Sequence, residues 1–332
     1  MNIRAATLFV SVTITLAACG GDSGSTSTPP ESVAVESSDT ATSEPDTVAV
    51  TDAPATDAPV TDAPTTTVSM DVSPLPIGDG KVSTTEPQVG WVYSCVKPQG
   101  GGGAFADGPW IDSTNGTWDP SKKVHVSGEV SWDYRFSVSV SGDFRTLQTI
   151  DFPNHNTGVF PIAPDDEAFN YDRNPNSITE QDLRWVMPSK PVKGASPQCL
   201  NMGAIGMMTT GAVLFNALDG EGRDAAAHET LDNCDGHPER TGEYHYHSLS
   251  TCSAANGSSE VTVVGWAFDG FPIVSGYIDG HAATNADLDV CHGRDTTVAI
   301  NGELVDTYAY WMTAEYPYSL GCYWGDTLAT EG

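Results

Sequence analysis

The chain has 332 residues, with 44 acidic and 14 basic side chains and a formal net charge of −30. That balance excludes nucleic acid and anionic membrane surfaces as electrostatic partners. The length suffices for one substantial core.

The first 18 residues read as a targeting signal. Arg4 gives a short charged start, and Ala5 to Ala18 is an apolar stretch too short for a permanent membrane span. It ends in Leu16-Ala17-Ala18-Cys19, a pattern that resembles the bacterial lipobox and would make Cys19 the lipidated N-terminus. The alternative is an ordinary signal peptide with an incidental cysteine. Residues 19–88 read as a disordered tether. They are rich in Ser, Thr, Ala, Pro and acids, and Thr-Asp-Ala-Pro recurs at 51, 56 and 61. Such composition buries too little apolar surface to offset the entropy of ordering, and proline with like charge keeps it extended. Together these segments predict an extracytoplasmic protein held to a membrane or cell surface through a lipid on Cys19.

Residues 89–332 read as one mainly β domain with short helices and long ordered loops. Tyr134–Val140, Val261–Val264 and Thr297–Ile300 alternate or run in β-branched residues, and Asn301-Gly302 is a hairpin signal. Val124–Val126 and Val130–Trp132 are shorter strand candidates, and Thr179–Val186 is the one helical candidate.

Two stretches, about 203–252 and 264–325, read as a tandem repeat. Gly206–Gly211 matches Gly265–Gly270, and Leu231-Asp232-Asn233-Cys234-Asp235-Gly236 matches Leu288-Asp289-Val290-Cys291-His292-Gly293. Tyr244-His245-Tyr246-His247 then matches Tyr308-Ala309-Tyr310-Trp311, and each copy closes with a cysteine. With Cys19 set aside, six cysteines remain, which in an exported chain read as three disulfides. The pairing that respects the repeat is Cys234–Cys252 and Cys291–Cys322, leaving Cys95–Cys199.

The comparison also separates scaffold from chemistry. Tyrosines, glycines and cysteines recur between the copies, whereas His237, His245 and His247 align with Arg294, Ala309 and Trp311. In a strand His245 and His247 share one face. With His237, and with His228 as the least constrained ligand, they predict a nitrogen-rich site for zinc or copper. Glu229, Asp232 and Asp269 are candidate supporting carboxylates, and Glu229 or Asp269 a candidate general base. An enzyme built on this site would be a metal-dependent hydrolase or a copper oxidoreductase. The alternative is a metal-free extracellular binding module for a glycan or protein partner, using its aromatic loops.

At Tyr244–His247 the chain resembles the bacterial YHYH-domain family. The resemblance extends to His237-Pro238, Phe268–Ile273, Pro317–Cys322, Gly108–Ile111 and Asn154–Gly158, and covers most of residues 90–325. It implies an exported domain and no particular activity. The second tyrosine motif, Tyr308-Ala309-Tyr310-Trp311, lacks the histidines that some relatives look to carry, so a role that needs histidines there is not expected of this chain.

Overall fold

A computed structural model describes residues 74–328. The expected signal segment, Cys19 and most of the expected tether lie outside these residues. The end of that expected tether does not stay apart from the domain. Leu75 pairs with Trp118 and is buried, and Val82–Ser83 pairs with Val92–Tyr93. Composition alone had assigned residues 74–88 to the tether, because its averages do not register single apolar residues that fit into a core.

The centre of the domain is an eight-stranded mixed sheet. Its strands in chain order are β1 (Ala204–Met208), β2 (Val213–Phe215), β3 (Gly236–Pro238), β4 (Tyr244–Tyr246), β5 (Thr262–Ala267), β6 (Pro272–Ser275), β7 (Gly293–Ile300) and β8 (Glu303–Trp311). Across the sheet the order is β3-β4-β2-β1-β5-β6-β8-β7. From the antiparallel β1–β5 seam outward, both halves run hairpin, then a parallel neighbour, then an antiparallel edge strand.

The two halves share their local chemistry as well. In the first, Asp232 Oδ1 accepts from the amides of Cys234 and Gly236, and the Tyr244 hydroxyl donates to both carboxylate oxygens at 3.1 and 2.9 Å. In the second, Asp289 Oδ1 accepts from the amides of Cys291 and Gly293, and from the Tyr308 hydroxyl at 2.9 Å. Gly236 is required here, because a Cβ would lie 2.2 Å from the Tyr244 ring; at Gly293 it would lie 2.4 Å from the Tyr308 hydroxyl. Three disulfides brace the fold, Cys95–Cys199, Cys234–Cys252 and Cys291–Cys322, the pairing expected from the sequence.

A separate three-stranded antiparallel sheet joins Phe136–Ser141, Phe144–Thr149 and Leu183–Pro188. The helical expectation for Thr179–Val186 is therefore overturned. Leu183, Trp185 and Met187 alternate toward the core, and pairing with Phe144–Thr149 outweighs the weak local helix signal. Asn301-Gly302 forms the β7–β8 turn with φ of 53° and 83°. Val126 and Val130 make only isolated bridges, to Asp232 and Thr157. Among the described residues no helix is long and apolar enough to cross a membrane.

Loss of one buried hydroxyl from these carboxylate knots leaves an ionisable group short of a donor. Tyr244→Phe and Tyr308→Phe are each expected to lower unfolding free energy by about 1–3 kcal/mol. Urea denaturation with the disulfides intact measures this, and unchanged midpoints would show that the remaining donors, the backbone amides and for Asp289 also the Trp324 indole, satisfy these carboxylates.

Candidate metal centre

Strand β4 builds the site by alternation. Tyr244 and Tyr246 join the hydrophobic core, while His245 and the following His247 face a cleft on the other side. Strand β3 runs antiparallel to β4 with His237 directly opposite His245, which places both imidazoles on one face at cross-strand contact distance. Ring centroids stand 4.5 Å apart for His237–His245, 4.9 Å for His245–His247 and 5.6 Å for His237–His247. One donor nitrogen from each lies within 4.8 Å of the other two.

Glu229 arrives from a different element. The helical turn α1 (Ala225–His228) is capped by Asp224, whose side chain accepts from the Ala227 amide. The Trp110 indole donates to the Ala227 carbonyl and the buried Lys123 ammonium to the Ala226 carbonyl, so these two carbonyls of the turn are satisfied. The turn ends at Glu229, whose Oε2 lies 3.3 Å from His237 Nε2 and 3.2 Å from His247 Nε2.

The surroundings fix two of the three imidazoles. His247 Nδ1 lies 2.6 Å from the Asn216 carbonyl and His245 Nδ1 lies 3.3 Å from the Glu243 carbonyl. A carbonyl only accepts, so each Nδ1 carries the proton and each Nε2 keeps its lone pair. Phe215 stacks on the His245 ring with centroids 3.8 Å apart.

One set of buried polar atoms finds no hydrogen-bond partner within the protein. Glu229 Oε2, His247 Nε2 and both ring nitrogens of His237 are buried without a hydrogen-bond partner. Native interiors rarely leave such atoms unsatisfied. A cation would satisfy Glu229 Oε2, His247 Nε2 and one ring nitrogen of His237 together. Metal–ligand bonds of about 2.0–2.1 Å in a tetrahedral array put donor atoms roughly 3.3 Å apart, the spacing that Glu229 Oε2 already has from His237 and His247. The donor set of three imidazoles and a carboxylate, without thiolate, suits zinc or copper(II).

Protonation favours the same outcome. Burial lowers the His237 imidazole to about 4, against the opposing pull of Glu229. Burial and the neighbouring His237 and His247 push His245 well below the usual range. Burial alone would raise the Glu229 carboxyl, but His237, His247 and Lys123 bring it down to about 2. At neutral pH, His237 and His245 are neutral and Glu229 is anionic, the forms that bind a metal.

The donors lie at the floor of a cleft of about 730 Å³, walled by Gly101–Gly103, Phe105, Asp172–Asn176, Met202, Phe215 and Pro238–Arg240. Residues 184–284 match the family model described as YHYH protein. The chain carries a YHYH-family domain. No curated protein and no solved structure matches the chain. The matched segment includes Glu229, His237, His245 and His247, and so every donor of the centre.

The other sequence candidates lie elsewhere. His228 is kept out of the YHYH cluster by two carboxylates, with Nδ1 2.9 Å from Asp107 and Nε2 3.0 Å from Asp79. It precedes Glu229 in sequence, but the end of α1 turns the two side chains to different partners. Asp269 accepts from the Tyr310 hydroxyl at 2.5 Å and from the Gly325 amide at 2.9 Å. It and Asp232 are absent from the cleft wall and serve the scaffold. His155 lies near Cys234 and Cys252, but those sulfurs are joined to each other. Sequence reading missed the Asn216 carbonyl, Phe215 and the glycine wall, because only the parallel β2–β4 pairing and the loop packing bring them to the histidines.

Since His237 stays neutral down to about 4, protons compete for it only near that value. Metal bound at neutral pH is expected to remain as pH falls past about 6.5, the ordinary histidine range, and to leave as pH falls through about 4. Imidazole NMR titration of the metal-free domain, beside metal content against pH, checks this; protonation of His237 near 6.5 would contradict it.

Proposed function

We propose that this is an extracytoplasmic protein, lipid-anchored through Cys19, whose YHYH domain binds one zinc or copper ion. The ligands are His237, His245, His247 and Glu229. The observation that carries the reading is the convergence of buried, unsatisfied nitrogen and carboxylate atoms at the floor of an open cleft. Three disulfides agree with an oxidising compartment. The proposed lipid anchor rests on the sequence around Cys19.

Glu229 acts here as a ligand, because its Oε2 stands at ligand spacing from two Nε2 atoms. With all four donors bound, an exchangeable molecule entering from the cleft would take a fifth position on the ion. A zinc ion there would supply Lewis-acid chemistry for hydrolysis, and a copper ion would supply redox chemistry. The residues of the chain hold the charge, set the imidazole tautomers and shape the access.

The test is metal content of the untagged domain after chelation and reloading with zinc or copper. One metal per chain is expected in the wild type, and none in His245→Ala with His247→Ala. Glu229→Gln, which removes a ligand charge, is expected to weaken binding by more than the roughly 10–100-fold that loss of an outer-shell partner costs, whereas His228→Gln retains the metal in its folded fraction. A well-folded wild type that takes up neither metal overturns the reading.

A further inference from the structure

The charged groups around the cleft are not used alike. Three carboxylates line it, and each is engaged within the protein. Glu229 faces His237 and His247. Asp172 is buried and accepts from the Thr230 amide at 3.2 Å. Glu239 Oε1 takes the amide and hydroxyl of Thr241.

The two guanidiniums of the cleft, Arg173 and Arg240, make no ion pair among the described residues, although the chain carries a formal charge of −30. Arg173 is nonetheless held in place. Its guanidinium carbon lies 4.4 Å from the centroid of the Phe105 ring and 5.1 Å from that of Phe169. Cation–π contact fixes this charge without neutralising it. Arg240 follows Pro238 and Glu239 on the chain that leaves His237, so its cation stands at the mouth of the same cleft. The wall between them is firm, because the side-chain amides of Asn174 and Asn176 both donate to the Pro238 carbonyl.

We propose that the cleft takes a small organic anion. Its carboxylate or phosphate group would be gripped between the metal centre and the Arg173 and Arg240 guanidiniums, and its apolar body would lie on Phe105, Met202 and Phe215. The inference rests on the metal reading above and adds the ligand class to it. A guanidinium matches carboxylate and phosphate oxygens through paired N–H donors, and a metal ion attracts the same oxygens. A cleft of about 730 Å³ has the size of a small-molecule site. The apolar wall argues against a bare inorganic ion as the natural ligand, and the unpaired cations argue against a neutral sugar.

Inorganic phosphate and succinate serve as probes of the two oxyanion sources. Each is titrated at constant ionic strength into the cobalt(II)-loaded domain, with the visible spectrum of the metal and calorimetry as readouts, and glucose as the neutral control. At least one anion is expected to bind and change the cobalt spectrum, and the tighter of the two identifies the source. Arg173→Gln with Arg240→Gln is expected to bind it about 10-fold or more weakly with unchanged metal content, since both side chains are exposed and unpaired. Failure of the wild type to take up metal overturns the metal reading and this inference with it. Full metal uptake with no anion response, or with an equal response in the double variant, overturns this inference alone.

Discussion

The site depends on one register. Strands β3 and β4 pair so that His237 stands opposite His245 and Gly236 opposite Tyr246. A slip of one residue would send His245 to the tyrosine face and Tyr244 into the cleft, because successive side chains alternate across a strand. The register is pinned from behind by Asp232. This carboxylate binds the Gly236 amide at the start of β3 and the Tyr244 hydroxyl at the start of β4. A buried, hydrogen-bonded acid on the core side therefore holds the imidazoles in place on the cleft side. Tyrosine and histidine divide the labour of the motif between its two faces.

The second half of the sheet shows what the scaffold does without the chemistry. Asp289, Tyr308 and Gly293 repeat the knot, and Gly293 pairs with Tyr310 as Gly236 pairs with Tyr246. The positions of the three histidines hold Arg294, Ala309 and Trp311. Trp311 is fully buried in a small apolar cluster with Val274, Val298 and Ala309. Where the first half gathers imidazoles and a carboxylate at the floor of a cleft, the second half packs the Trp311 ring among aliphatic side chains, with its indole nitrogen buried and unpartnered. Polar burial is costly, and the gathering of several such atoms around one point in the first half supports the binding site proposed there.

Much of the fold was legible in the chain. The β class, the three disulfide pairs and the Asn301-Gly302 turn follow from local signals: alternation, cysteine landmarks in fixed order, and residues that accept positive φ. The strand at Leu183–Pro188 was not legible as such, because its fate was decided by pairing with Phe144–Thr149, distant in sequence. The tail of the expected tether failed for a related reason. Leu75, Ile77 and Val82 are scattered apolar residues in a polar stretch, and only their packing in the fold, as of Leu75 beside Trp118, makes them part of the core.

For the site, the sequence by itself determined which histidines belong together. A period of two places His245 and His247 on one face, and the contrast between the two tyrosine motifs separates imidazole from scaffold. Tertiary structure decided the rest. It took His228 away into the grip of Asp79 and Asp107, and it gave Glu229 to the imidazoles as their nearest carboxylate. Adjacent residues at the end of a helical turn point to different surroundings, and no spacing rule says which of them meets a strand folded back from elsewhere. The unpaired guanidiniums of Arg173 and Arg240 were likewise invisible in the chain. A charge is free or spent only once packing has chosen its neighbours.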